Sequence, residues 1–455
     1  MTRHPHPAPG RTPRRTGAGR RRPRARWTGP DPLDLTVDAL GAQGDGLARH
    51  GPERLFLPGA LPGERVRARV GDRTGDGWRT RVEAVLTPAP DRVGAPCPHF
   101  GPCGGCSLQH LAPPALTAWK HRQVVEALAR RGLGAVTVDA VVTIPPGSRR
   151  RCTLAWRRTG AGVVLGFHAA DSHRLEDVRT CALLTPRLGA LLAPLRALLA
   201  AIGSTDGRRG PEAGQVSLTD TETGVDCTLT LPGPPDLAAR ERLAAFAEAE
   251  DVARLSGQWG ETAEPVAERR APVVRFAGVP VRLPPLAFLQ PSPEGAAAIT
   301  EAVLARLPAG TGPVLDLYAG LGTLSLPIAM TGRPVHAVDG TAEAIAALAA
   351  APAPRGRLTT TVRDLARDPV DGAALATYGA AVFDPPRAGA AAQAAALAAH
   401  GPPQVVAVSC KPATFARDAR TLVDGGYRLG PVTPIDQFPW SAHVEVVAVF
   451  RRDPT

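Results

Sequence analysis

From Phe288 onward the sequence alternates short apolar runs with alanine-rich segments of helical composition, and few folds accept that pattern. The apolar runs are Pro313–Leu317, Val335–Val338, Ala380–Phe383 and Val405–Ser409. Helical segments such as Glu343–Ala351 and Ala390–His400 separate them. Strands that alternate with helices are joined in parallel, and helices cover both faces of the resulting sheet. A doubly wound, mainly parallel α/β sheet is therefore expected over residues 286–455. Ligands of such sheets bind beyond the carboxyl ends of the strands. The residues that follow each apolar run are thus the informative ones.

Three motifs and Asp339 stand at those positions, and a fourth motif lies further on. Asp316-Leu317-Tyr318-Ala319-Gly320-Leu321-Gly322 is a glycine-rich turn, whose glycines let a cofactor approach the backbone. Such a turn suits dinucleotides and S-adenosylmethionine alike. Asp339 ends the next run, where a carboxylate can accept from ribose hydroxyls. Asp384-Pro385-Pro386-Arg387 is an acidic turn like that of amino-group methyltransferases, but Arg387 stands where those enzymes carry an aromatic residue. It also lacks the cysteine that cytosine-C5 enzymes place in this loop. The cysteine comes one run later, in Ser409-Cys410-Lys411, and His443-Val444-Glu445 supplies a further carboxylate. Cys410 could be a buried thiol, but a strand end at the ligand edge favours a nucleophile. Glu445 could be a surface carboxylate, but in the apolar run Val444–Phe450 a charge is costly without a purpose. Uracil C5 is too weak a nucleophile to take a methyl group unaided. A thiolate adding to C6 activates C5, and a base must then remove the C5 proton so that the thiolate leaves. The motif order therefore points to methylation of a pyrimidine at C5.

Upstream, residues 33–90 read as five or so short strands with glycine turns, a small barrel of the oligonucleotide-binding kind. Alternation in Arg65–Val70 places three arginines on one face. Residues 91–285 mix strands and helices in an α+β domain. Seven cysteines in a chain without a secretion signal argue against a disulfide framework. Cys97, Cys103 and Cys106 are clustered and read as metal ligands, with Cys181 the choice for a fourth. Three close ligands and one distant one suit a 4Fe–4S cluster somewhat better than zinc, which usually draws two close pairs.

The formal net charge is +11, and residues 1–26 alone hold nine arginines and no acid, so the remainder is nearly balanced. This arm, residues 1–32, is expected to be disordered and is either an RNA phosphate-binding arm or a solubilising extension. No apolar stretch approaches a membrane span. A soluble, cytoplasmic, monomeric protein with no membrane partner is expected.

Together these motifs resemble the RNA uracil-C5 methyltransferases, over roughly residues 33–450. Leu61-Pro62-Gly63-Glu64 is similar to the TRAM barrel of that group. Cys97, Cys103, Cys106 and Cys181, with Gln109, resemble the 4Fe–4S site of its ribosomal members. The resemblance implies three folded parts: a TRAM barrel of the oligonucleotide-binding type, a central α+β domain with an iron–sulfur site, and a Rossmann-like class I methyltransferase domain. It implies that Gln290, Tyr318, Gly320, Gly322, Thr323, Asp339 and Asp384 serve S-adenosylmethionine, that Cys410 is the nucleophile and that Glu445 is the base. Asp339 replaces a common glutamate, Thr323 a frequent asparagine, and Lys411 an asparagine or aspartate. A lysine there could lower the thiol pKa or reach RNA phosphate. The implied partner is RNA, 23S ribosomal RNA ahead of transfer RNA. The rival of another class is an RNA-binding iron–sulfur protein without catalysis.

Overall fold

The computed structural model describes residues 26–452 except Asp171, Gly203, Asp206, Gly207, Gly210, Pro211, Pro232 and Thr311. Most of the arginine-rich arm, and the disorder expected of it, lies outside the described residues. The chain forms two compact units, one ending at residue 39 and resuming over 46–88, the other comprising 40–45 and 89–455.

The first unit is built on a six-stranded sheet in the order Leu33–Thr36, Arg65–Thr74, Gly77–Thr87, Glu53–Leu57, Gly46–His50, Ala39–Leu40. Alternation is strict along its longest apolar stretch: Val66 and Ala68 are buried while Arg65, Arg67 and Arg69 face out. These arginines are paired, Arg67 with Asp34 at 2.8 Å and Arg69 with Glu83 at 2.9 Å. Exposed pairs of this kind arrange charge more than they stabilise. The turn Leu61-Pro62-Gly63-Glu64 closes on itself, with buried Glu64 accepting from the Leu61 amide at 2.8 Å.

The second unit holds two large sheets. The seven-stranded one runs Leu175–Asp177, Gly162–His168, Arg151–Thr159, Ala213–Thr221, Gly224–Thr230, Val252–Trp259, Thr262–Glu268. Its parallel pair, Gly224–Thr230 with Val252–Trp259, is joined by the helix Leu237–Ala249. The continuous helix expected over Pro186–Ala201 is two helices, Pro186–Ala190 and Leu192–Ala201, separated at Leu191.

The eight-stranded sheet runs Leu358–Val362, Val335–Asp339, Val314–Leu317, Ala380–Phe383, Gln404–Ser409, Glu445–Arg451, Arg428–Asp436, Val142–Thr143. The first five strands are parallel. The chain builds outward from Val314–Leu317 to Leu358–Val362, then returns to its other side at Ala380–Phe383. The strand order therefore reverses between Val314–Leu317 and Ala380–Phe383, which creates a ligand crevice at their carboxyl ends. Glu445–Arg451 runs antiparallel to Gln404–Ser409, with Ser409 opposite Val446. Its first residue thus lies at the edge where the parallel strands end.

Two upstream pieces join this sheet, although the sequence reading groups them with residues 91–285. Val142–Thr143 pairs with Ile435 and Asp436. The helix Pro113–Ala129 buries Val124, Ala127 and Leu128 in the same core as Phe415, Leu422 and Tyr427. Periodicity reveals that a helix has a face to bury but not what covers it. Among the described residues no helix is long and apolar enough to cross a membrane.

Candidate active site

The fully buried strand Val314–Leu317 ends in a turn whose backbone few residues tolerate. Tyr318 has φ 63°, Gly320 φ 53° and Gly322 φ 88°. A Cβ on Gly322 would also lie 2.4 Å from Leu348 Cδ1, so that position needs glycine twice over. Asp339, at the end of the neighbouring strand, accepts from the Gly320 amide at 3.0 Å and from the Thr341 amide at 2.7 Å. Its carboxylate ties the glycine turn to the next strand end. Asp316 is buried and accepts from Ser325 Oγ at 2.5 Å, and burial pushes its carboxyl up to about 7. Burial likewise pushes the Tyr318 phenol up to about 12. Thr323 lines a different space, a cavity of about 830 Å³ that it shares with Arg150, Phe276 and Thr300.

Four buried or half-buried polar side chains from separate segments form a chain along the same sheet edge. Gln290 Nε2 donates to Asp384 Oδ2 at 3.0 Å. Gln437 Nε2 donates to Gln290 Oε1 at 2.9 Å and to Glu445 Oε1 at 3.0 Å. Arg150 holds the backbone of this segment by donating from Nε to the Gln290 carbonyl at 3.0 Å. Burial pushes Asp384 up to about 7 and Glu445 up to about 8, and the Asp384 charge adds to the Glu445 shift. Glu445 Oε2 has no hydrogen-bond partner among the described residues.

Cys410 follows Ser409 and so stands beside Glu445. Its thiol is pushed up to about 11, first by burial and then by Glu445 and Asp384, with Arg387 opposing. Lys411, anticipated to lower it, is not among the groups that set this shift; Arg387 is the cation that opposes burial and the two carboxylates. Arg387 donates to His443 Nε2 at 2.6 Å. Burial, and then the Arg387 charge, press His443 down to about 4, so its ring is neutral near pH 7.

Two residues that brace this edge are absent from the sequence reading. Lys120 is fully buried and donates to Asp436 Oδ1 at 2.5 Å and to the Phe438 carbonyl at 2.9 Å. A signal for it exists: Leu116, Lys120 and Val124 share one helical stripe, so a lysine lies on a buried face. Gln437 carries no such signal, since a single polar residue near a strand end is unremarkable.

The four cysteines Cys97, Cys103, Cys106 and Cys181 line one cavity of about 430 Å³. Three loop contacts shape it. The Gly104 amide donates to the His168 carbonyl at 3.0 Å, and a Cβ there would lie 2.7 Å from that oxygen. The Arg179 amide donates to His99 Nε2 at 3.1 Å, placing the Cys181 loop. Gln109 Oε1 accepts from the Cys97 amide at 3.1 Å. Burial pushes the Cys106 thiol up to about 11, despite a hydrogen bond from Gln109, and Cys181, Cys103 and Cys97 add to it. Among the described residues, no group of three or more His, Cys, Asp or Glu side chains is arranged to hold a metal ion. Beyond the cysteine turn, the Ser107 and Leu108 amides both donate to the Trp440 carbonyl at 3.0 Å. The cysteine loop is thereby tied to the turn between Gln437 and Glu445. Cys152 and Cys227 are buried in strands.

A sheet in this order, with a glycine-rich turn after its first parallel strand and an acidic residue ending its second, offers a crevice for a nucleoside-bearing cofactor. The comparisons narrow the class. The family model described as tRNA (Uracil-5-)-methyltransferase matches residues 358–453. An RNA methyltransferase of Caulobacter vibrioides, itself uncharacterised, is 41% identical over 92% of this chain and 100% of its own length. The 23S rRNA (uracil(1939)-C(5))-methyltransferase of Alkalilimnicola ehrlichii is 36% identical over 93% of this chain and 97% of its own. Among solved structures, the Pyrococcus abyssi tRNA (uracil-54, C5)-methyltransferase in complex with S-adenosyl-L-homocysteine matches with a TM-score of 0.71. It covers 92% of this chain and 99% of its own at 20% identity, a likeness of fold. The chain belongs to the RNA uracil-C5 methyltransferase family.

Proposed function

We propose that this enzyme methylates a uridine of 23S ribosomal RNA at C5 through a covalent adduct on Cys410, with Glu445 as the base. The observation that carries the reading is the register Ser409 opposite Val446, which puts Cys410 and Glu445 at the ends of adjacent antiparallel strands. S-adenosylmethionine supplies the methyl group, and Gln290, Tyr318, Gly320, Gly322, Asp339 and Asp384 are the residues assigned to it, whereas Thr323 lines the neighbouring cavity. The target base is flipped from its stack to reach the sheet edge. The Cys410 thiolate adds to C6, and C5 becomes nucleophilic and takes the methyl group. Glu445 then removes the C5 proton as the C6–sulfur bond breaks. A 4Fe–4S cluster is assigned to the cysteine-lined cavity by the chemistry of its donors alone, four thiols around one space whose present arrangement is not that of a metal site. Its role is to fix the loop that ends at Ser107 and Leu108. The six-stranded sheet of residues 33–88 is assigned as a TRAM-like RNA-binding barrel, residues 91–285 apart from Pro113–Ala129 and Val142–Thr143 as the cluster domain, and 286–455 with those two pieces as the methyltransferase domain.

Labelled S-adenosylmethionine with unmodified 23S and transfer-RNA transcripts, followed by nucleoside identification, tests the substrate. Labelled 5-methyluridine in 23S RNA is expected. Label in transfer RNA alone moves the substrate to that class. Cys410→Ala is expected to lower turnover by at least ~1,000-fold while still binding S-adenosylmethionine. Glu445→Gln is expected to accumulate an RNA–protein adduct that survives denaturing electrophoresis. An active Cys410→Ala enzyme overturns the covalent mechanism.

A further inference from the structure

A base that works inside a protein has to be held with one oxygen free and its charged form within reach. Glu445 is 3% exposed, and only its Oε1 is engaged, by Gln437 Nε2 at 3.0 Å. Gln437 is itself 3% exposed and cannot turn over without loss, because its Nε2 faces two acceptors, Glu445 Oε1 and Gln290 Oε1. The other side of its amide is fixed by shape. A Cβ on Gly295 would lie 2.4 Å from Gln437 Oε1, so that oxygen rests against a bare backbone in the first turn of the helix Pro293–Leu304. The preceding residue, Asp436, is locked by Lys120.

We propose that Gln437 is the positioning residue of the proton-abstraction step: it orients Glu445 through Oε1, leaves Oε2 for the C5 proton, and links the base to Gln290 in the cofactor pocket. This rests on the assignment of Glu445 as base. In the step, the C5–H bond breaks and the proton goes to Glu445 Oε2. The C–H electron pair forms the C5=C6 double bond, and the C6–S pair leaves with Cys410 as thiolate. A donor to Oε1 favours the ionised carboxylate needed for this. The other charged or titratable groups around Glu445 are Asp384, Arg387 and Cys410, with His443 held by Arg387 and Asp436 paired with Lys120. Among the described residues none of these donates to Oε1, so the amide of Gln437 has no substitute.

The test is single-turnover methylation of 23S transcript by wild type and Gln437→Met, a near-isostere that cannot donate. Methyl transfer to C5 and resolution of the adduct are followed separately across a pH series. Methyl transfer is expected to stay within a few-fold of wild type. Adduct resolution is expected to slow roughly ten- to hundred-fold, the loss of one hydrogen bond to a charged group, with its acid limb moved to higher pH. Gly295→Ala, which displaces the amide without removing it, is expected to give the same pattern with a smaller effect. A Gln437→Met enzyme that resolves its adduct at the wild-type rate and pH overturns the proposal if Glu445→Gln still traps adduct. If Glu445→Gln traps none, it is the assignment of the base that fails.

Discussion

The sheet edge and the cysteine-lined cavity both gather polar groups away from water, but they hold them by opposite means. At the edge, Asp384, Gln290, Gln437 and Glu445 come from four separate segments, and each link pairs a donor with an acceptor. The strand ends are rigid, so this site is arranged by the protein itself. In the cavity, all four groups are thiols, and three of them come from the single turn Cys97–Cys106. Their ionised forms repel one another, and Gln109 is the neighbour that lowers the Cys106 thiol against that repulsion. Positioning there falls to backbone contacts such as Gly104 with His168. The edge is preorganised by hydrogen bonds, whereas the cavity is shaped by backbone contacts around four thiols.

Removing one thiol should therefore unsettle far more than removing one edge residue. Cys181→Ser is expected to lose bound iron and sulfide and to destabilise the protein by more than ~4 kcal/mol, as loss of a metal centre does. Cys410→Ala, an edge cysteine, is expected to keep both the iron and the melting temperature. Iron analysis and thermal unfolding of the two variants decide it. If Cys181→Ser melts with wild type and the wild-type protein carries zinc or no metal, the cavity is not a cluster site.

The two regions also differ in how far they are legible in the sequence. The strands Ala380–Phe383 and Gln404–Ser409 can be read almost to the residue, because short apolar runs bounded by glycine or proline are strong local signals. The strands Leu358–Val362 and Arg428–Asp436 give no such signal. The first is half exposed, with Thr359, Thr360 and Thr361 in its centre, and the second contains Gly430, Pro431 and Pro434. Most motif residues are visible because they follow a strand, and Glu445 is visible as a carboxylate at the head of an apolar one. Their mutual contacts are not, since the chain Asp384–Gln290–Gln437–Glu445 depends on four segments meeting in space. The cysteines are half legible: the turn announces Cys97, Cys103 and Cys106, while Cys181 lies far along the chain with no local pattern joining it to them.

Lys120 links the two regions and offers a sharper probe of the edge. Its helix, Pro113–Ala129, begins shortly after Ser107 and Leu108, whose amides hold the Trp440 carbonyl. Its ammonium pairs with Asp436 just before Gln437. One stretch of chain thus carries both a backbone clamp and a buried ion pair onto the turn that leads to Glu445. Lys120→Met keeps the apolar stem and leaves the Asp436 carboxylate buried without its cation. Breaking a buried pair from one side costs about 3–5 kcal/mol, and a loss of that order is expected in chemical unfolding. Lys120→Met with Asp436→Asn is expected to recover part of it, because the stranded charge is gone. If the single variant is as stable as wild type, the pair does not brace the edge.

The smallest expected effect is a dependence on pH, and it separates the two regions most cleanly. Glu445 is held at about 8 in the folded protein against an ordinary value of 4.5, chiefly by burial. Between those values the folded protein keeps a proton that the unfolded chain has released. The stability this group contributes is therefore full below pH 4.5 and is lost as pH rises through about 8. Glu445→Gln removes that dependence while keeping an acceptor for Gln437. Measured without RNA, the variant is expected to gain on wild type progressively as pH rises across that window, by roughly 1–3 kcal/mol at the upper end. Parallel stability curves for the two proteins would mean that Glu445 is ionised in the free enzyme at neutral pH, and the edge would then be solvated rather than sealed by its own hydrogen bonds.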